Sequence, residues 1–244
     1  MSLPGRVLVT GGGVGIGGAT ARALAPDSRL LIHYNRSRDA AEALAQSLAG
    51  TAVEVHVVQA DLTTDRGCEE LYEAARTYLG ALDVLVNNAG GMIERQSVGE
   101  LTWQHLVDTF GLNTFSTMRL TSLCRNLLES GDRACVVNVT SIAMRHGAPS
   151  ATAYGAAKAA IDAFTRGAAK ELAPIRVNAV APGMIDTAFH DRVTSEAMLR
   201  GFVEATPLKS LGSPEMVADT VKFVIENEFM TGETIDCNGG LFMR

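Results

Sequence analysis

Short apolar runs alternate with longer amphipathic stretches along the chain. Residues 6–10 (RVLVT) read as a buried strand, and residues 15–25 as an Ala-rich helix closed by Pro26. The pattern repeats with a strand over 29–34, a helix over 38–49, a strand over 53–58 and a helix over 66–79. Residues 83–86 form a short fourth strand, and a long helical region covers 100–128, with Gly111 marking a bend. Strands over 134–139 (ACVVNV), 175–180 and 233–236 complete the set, with a helix over 152–172. Strands that are apolar at every position are covered on both faces, as in a parallel sheet between helical layers. Strict strand–helix alternation then predicts an α/β fold. It is a doubly wound, Rossmann-type parallel sheet of about seven strands with helices on both faces, in one domain over residues 1–244. Such sheets bind ligands at the carboxyl ends of their strands. An extra helix over 194–206 breaks the alternation beyond the sixth strand, and the segment 189–211 is expected to cover the site as a lid.

Length and charge narrow the classes. A chain of 244 residues suits a single well-cored domain. A net charge of −6 with no basic cluster argues against nucleic acid. Cys68, Cys124, Cys135 and Cys237 show no C-x-x-C spacing and no accompanying His cluster, so no metal site is expected. The chain runs from Met1 directly into the first strand, which leaves no room for a signal peptide. No apolar run approaches the roughly 20 residues needed to span a bilayer. The expected location is cytoplasmic, with no membrane partner.

The candidate chemistry begins after the first strand, at Thr10-Gly11-Gly12-Gly13-Val14-Gly15-Ile16-Gly17. Glycines there let the chain turn tightly and let its backbone approach a pyrophosphate, with Gly11, Gly15, Ile16 and Gly17 at the start of the following helix. The helix N-terminus aims free N–H groups at that anion. An NAD-type site would place an acidic residue at the end of the second strand. The chain instead reads His33-Tyr34-Asn35-Arg36-Ser37-Arg38, with no carboxylate before Asp39. The planar fork of Arg36 and the hydroxyl of Ser37 suit an adenosine 2′-phosphate, so NADP(H) is preferred and NAD(H) is the alternative. Arg36 and Arg38 also read as solvated charges at a helix start, and Asp61, after the third strand, as a turn or N-cap residue.

Tyr154 and Lys158, four apart on one helix, share a face. Ser141 precedes them just past the fifth strand, Asn113 lies in the long helical region, and Asn87-Asn88-Ala89-Gly90 ends the fourth strand. With the T-G-x-x-x-G-I-G loop, these residues resemble the short-chain dehydrogenase/reductase family over nearly the whole chain. The resemblance implies a catalytic set of Asn113, Ser141, Tyr154 and Lys158. It also implies cofactor contacts from Asp61 and Leu62 at the adenine and from Asn88, Ala89 and Gly90 at the ribose. Pro182, Gly183, Ile185 and Thr187 would meet the nicotinamide and pyrophosphate. Tyr154 and Lys158 would both touch the cofactor side, with Lys158 on the ribose hydroxyls.

Reduction of a ketone by hydride leaves an alkoxide that needs a proton. Tyrosine has a reference pKa of about 10, and the Lys158 ammonium is expected to lower that of Tyr154. Tyr154 then serves as general acid in reduction and general base in oxidation. Ser141 holds the substrate oxygen. By the resemblance, Asn113 holds a water that links Lys158 to solvent.

Substrate choice falls to the loops over 91–97, 143–151 and 189–211, with Met144, His146, Met184, Phe189 and His190 on the pocket side. Chain length and the closing 231–240 segment look like 3-oxoacyl-acyl-carrier-protein reductases. The implied substrate is a small carbonyl or alcohol, with a carrier-bound 3-oxoacyl thioester as one candidate. Sugars, polyols, steroids and small ketones are the others. Arg95 or Arg145 could meet the carrier's phosphopantetheine or its acidic surface, or be ordinary surface charges. Relatives of this kind usually form homotetramers. A non-enzymatic NADP sensor tends to lose the Tyr or Lys that this chain keeps.

Overall fold

A computed structural model describes residues 5–187 and 194–243. The apolar runs pair side by side as β1 (Arg6–Val9), β2 (Arg29–Tyr34), β3 (Glu54–Gln59), β4 (Val84–Asn87), β5 (Cys135–Val139), β6 (Arg176–Pro182) and β7 (Thr234–Cys237). They form one parallel sheet of order β3-β2-β1-β4-β5-β6-β7. Val7 of β1 stands opposite Leu30 of β2 on one side and Val84 of β4 on the other. The strand order reverses between β1 and β4, which opens a crevice at their carboxyl ends.

Alternation along each strand feeds two cores. Val7, Val9, Leu30 and Ile32 pack with helices α1 (Gly15–Leu24), α2 (Arg38–Ser47) and α10 (Pro214–Glu226). Leu8, Leu31 and Leu85 face the other way, toward α3 (Asp65–Tyr78), α5 (Ser116–Leu123) and α8 (Thr152–Glu171). Successive side chains of a strand point to opposite faces, so a strand between two helical layers is apolar at every position. The edge strand β3 is only partly buried, consistent with its more polar EVHVVQ sequence.

Two elements differ from expectation. The long helical region is α4 (Trp103–Phe110), a π-helical turn (Gly111–Phe115), α5 and α6 (Arg125–Glu129). The bend expected at Gly111 is thus a change of helical winding that contains Asn113. Helix α10 has no counterpart in the sequence reading, although its start is marked: Ser213 accepts from Met216 N, and Pro214 opens the first turn. Among the described residues the remaining α-helices are the short α7 (Ala143–His146) and α9 (Glu196–Ala205), the latter within the expected lid. Residues 189–193 of that lid, Phe189 and His190 among them, lie outside the described residues. Among the described residues, no helix is long and apolar enough to cross a membrane.

One buried charge fastens α10 to the sheet. The Arg176 guanidinium donates to the carbonyls of Val224 (3.0 Å), Ile225 (2.7 Å), Asn227 (3.1 Å) and Met230 (3.3 Å). It thereby satisfies the orphan carbonyls of a helix C-terminus. Arg176→Met keeps the stem but leaves those acceptors bare. It should cost about 3 kcal/mol, or roughly 6–12 °C in Tm by calorimetry.

Candidate active site

The glycine loop is braced from the end of β4. The Thr10 hydroxyl accepts from Asn88 N and Ala89 N, both at 2.9 Å, and donates to Val86 O at 3.2 Å. The Asn88 amide donates to Thr10 O at 2.9 Å and Gly11 O at 3.1 Å. Gly11 adopts φ +59°, and a Cβ on Gly17 would lie 2.2 Å from Gly11 O. Only glycine lets α1 begin so close to the strand. Val14 caps α1 without any side-chain bond, and the first turn carries no acidic residue. The amides and positive end of α1 are left for an external anion, and Gly11, Gly15, Ile16 and Gly17 line the cavity in front of it. This cradle fits the pyrophosphate of a dinucleotide.

Beside the cavity lie the ends of β2 and β3. Arg36 is exposed there and makes no ion pair with a described residue. Arg38, by contrast, is engaged with Glu42 at 2.8 Å, one turn along α2. The Ser37 Oγ lies against the loop, 3.0 Å from where a Cβ on Gly13 would sit. Asp61 Oδ1 accepts from Thr63 N at 3.1 Å and Thr63 Oγ1 at 2.8 Å, the Asx-turn arrangement. The Leu62 side chain is buried in a core, so only its main chain is placed to meet a ligand.

The candidate acid–base residues come from the end of β5 and from α8. Lys158 is 3 % exposed. Its Nζ donates to Val139 O at 2.8 Å and lies 5.9 Å from the centroid of the Tyr154 ring. Ser141, just beyond β5, hydrogen-bonds the Tyr154 hydroxyl. A Cβ on Gly90 would come within 3.0 Å of Lys158 Nζ and 2.7 Å of Asn113 Oδ1, so the fourth strand's end needs its glycine.

One sequence expectation changes here. The Lys158 ammonium was expected to lower the Tyr154 pKa, yet burial raises it, opposed only by the hydrogen bond to Ser141. The same burial lowers Lys158 to about 8, so the ammonium is itself poorly solvated and its field does not prevail. The Asn113 side chain donates to Gly91 O and Thr109 O and accepts from Gly91 N, all at 2.9 Å. The amide braces the turn at Gly91, and Asn113 stands behind the cavity wall. A water chain would have to use its main-chain carbonyl.

The cavity measures about 560 Å³, in the range of small-ligand sites. Asn88, Ala89, Gly90, Ser141, Tyr154 and Lys158 line it. Pro182, Gly183, Ile185 and Thr187 close it from the β6 side. Arg36, Ser37, Asp61 and Leu62 do not line it. Beyond Tyr154 the wall is Met92, Ile142, Met184 and Phe202, with Arg95 and His146 among them. His146 and Met184 are where the sequence reading put them, whereas Met144 is not a lining residue. Met92 and Phe202 fall within the segments 91–97 and 189–211 to which the sequence assigned substrate choice, whereas Ile142 lies outside them and escaped that reading, because an isolated apolar residue carries no chemical signal. Arg145 is also corrected. It bonds Asp236 at 2.8 Å and lies 3.9 Å from Asp162, at 17 % side-chain exposure. Those carboxylates fix it within the fold, where it is not a surface contact for a carrier.

A glycine cradle and an acid–base pair opening on one crevice are the working parts of a nicotinamide-dependent oxidoreductase. Comparison with known proteins gives the family. A family model described as enoyl-(acyl carrier protein) reductase matches residues 12–242. A 3-oxoacyl-[acyl-carrier-protein] reductase of Synechocystis sp. is 34% identical over 246 residues, covering 97% of this chain and 96% of that protein. A short-chain dehydrogenase of Burkholderia cenocepacia, solved in complex with NADP, aligns with TM-score 0.91 and 29% identity over 98% of both chains. A 7α-hydroxysteroid dehydrogenase, solved with NADH and 7-oxo glycochenodeoxycholic acid, aligns with TM-score 0.91 and 26% identity over 98% of this chain and 94% of that one. This chain belongs to the short-chain dehydrogenase/reductase family and resembles its 3-oxoacyl-acyl-carrier-protein reductases. It is an NAD(P)-dependent oxidoreductase acting on small molecules.

Proposed function

We propose that the chain reduces the ketone of a 3-oxoacyl thioester, with NADP(H) as the preferred cofactor. One observation carries this reading: Ser141, Tyr154 and Lys158 line the same cavity as the glycine loop. A nicotinamide cofactor held by the Gly11–Gly17 loop would supply or accept the hydride. Ser141 holds the substrate oxygen. Tyr154, kept protonated by burial, gives its proton to the oxygen as negative charge develops there. Lys158, anchored on Val139 O, stabilises the phenolate left behind. Asn113 keeps the turn at Gly91 in place behind them.

Three features support the finer choices. Arg36 beside Ser37 offers a charged fork and a hydroxyl where a 2′-phosphate would sit. The wall of Met92, Ile142, Met184 and Phe202 suits an acyl chain. Phe202 comes from α9, which supports a covering role for the segment 189–211. The expected homotetramer is supported by the exposed apolar residues Trp103 and Val107 of α4 and Phe115 of the π-helical turn, Trp103 at 81 % exposure.

The test is a substrate screen, following nicotinamide absorbance with NADPH and with NADH. An acetoacetyl thioester with NADPH should react fastest among a panel of thioester, steroid ketone, keto sugar and small ketone. A faster steroid or sugar would move the substrate class, and faster NADH turnover would reverse the cofactor preference.

The pH dependence is also set. Lys158 carries its charge below about pH 8 and loses it above. The rate of ketone reduction at saturating NADPH should therefore fall as pH rises through about 8. A profile flat from about pH 7 to about pH 10 would remove the electrostatic role of Lys158.

A further inference from the structure

One buried polar side chain near the site has no part in the chemistry above. His33, in β2, is 2 % exposed. Its Nδ1 accepts from Gly11 N at 3.1 Å, and its Nε2 lies 3.0 Å from Ala60 O. A backbone N–H can only donate and a carbonyl can only accept. The ring must therefore be neutral, bare at Nδ1 and carrying its hydrogen on Nε2. The main chain of the same residue takes a second loop amide, because Gly12 N donates to His33 O at 2.8 Å.

The two ends of this bridge are not ordinary core positions. Gly11 opens the glycine loop at φ +59°, its carbonyl is held by Asn88 Nδ2, and that carbonyl is where α1 comes closest at Gly17. Ala60 is the residue before Asp61, in the loop expected at the adenine. One imidazole thus ties the pyrophosphate cradle to the adenine-side loop. Neither end is joined to it by chain proximity.

We propose that His33 is a positioning residue for the dinucleotide: its neutral ring holds Gly11 and Ala60 at fixed separation, so that cradle and adenine loop are preorganised as one site. The proposal rests on the reading that the glycine loop binds NADP(H). His33 touches neither cofactor nor substrate and acts through the loop it holds. Burial lowers its basicity from the ordinary value, against the opposing pull of the Ala60 carbonyl and Asp61, which favours the neutral ring the geometry requires.

Three variants separate positioning from mere core filling. Asn at this site places Oδ1 where Nδ1 stands and keeps the acceptor for Gly11. Gln places Nε2 near the imidazole Nε2 and keeps the donor for Ala60, but loses the Gly11 acceptor. Leu fills the space and loses both. NADPH binding to the purified protein should weaken about tenfold in His33→Gln and His33→Leu, and stay within about threefold in His33→Asn. At saturating NADPH, kcat should remain within about twofold of wild type in all three, because the acid–base residues are untouched. In the wild type, ¹⁵N-detected histidine spectra should show a protonated Nε2 and a bare Nδ1. A folded Leu variant with wild-type affinity, an Asn variant no better than Gln, or a ring protonated on Nδ1 at neutral pH would each overturn the proposal. If the Leu variant does not fold, the comparison of Asn with Gln still decides. A wild-type chain that bound neither NADPH nor NADH would overturn the cofactor reading itself, and this proposal with it.

Discussion

Tyr154→Phe should lower the rate of ketone reduction by about a thousandfold or more, while NADPH affinity stays within about threefold. Positioned proton transfer contributes typically about 10²–10⁴ in rate, and a thousandfold loss corresponds to about 4 kcal/mol of barrier. The substitution removes one oxygen and keeps the ring that packs beside Lys158 Nζ. The hydroxyl's hydrogen bond to Ser141 is lost with it, and the serine side chain still reaches Ala143 N at 3.2 Å. The cradle around Gly11 and Gly17 makes no use of that oxygen, so cofactor binding should survive. Stopped-flow reduction and a separate NADPH titration make the two readouts independent. A variant that kept wild-type turnover would remove Tyr154 as the acid. Lys158 would be a poorer probe, because its removal leaves Val139 O without its buried donor.

Arg36→Ala should weaken NADPH by about 10–100-fold and NADH by less than about threefold. The expected size follows from a charge-assisted contact to a phosphate, worth about 1.5–3 kcal/mol. Arg38 is not a ready substitute, since its guanidinium is already engaged with Glu42. Ser37 stays in place and accounts for whatever preference remains. Equal losses of both cofactors would mean that Arg36 acts on the shared part of the dinucleotide. Unchanged binding of both would place the 2′-phosphate elsewhere.

Legibility in the sequence varied from residue to residue. The glycine loop could be read because its requirement is local: a strand must turn into a helix without side chains in the way. Tyr154 and Lys158 could be read because helical spacing alone puts them on one face. His33 could not be read as a bridge, since neither Gly11 nor Ala60 is its neighbour in the chain. Arg145 was misjudged for the same reason: its partner Asp236 is 91 residues away. Helix α10 was missed although Ser213-Pro214 announces it, because no chemistry drew attention there. Asp61 was readable only as two alternatives, and the Asx turn with Thr63 accounts for one of its oxygens.

The sequence by itself determined the layered α/β architecture, because apolar strands in strict alternation with amphipathic helices can bury both strand faces in only one general way. It also determined the loop that turns β1 into α1 and the residue types that could move a proton. The tertiary structure alone decided which charges are free to act and which are tied down. It made the amide of Asn113 a brace for the turn at Gly91, and it reversed the expected direction of the Tyr154 pKa. Those outcomes depend on burial and on partners distant in the chain. Desolvation exists only once the core has closed, and no local pattern records it.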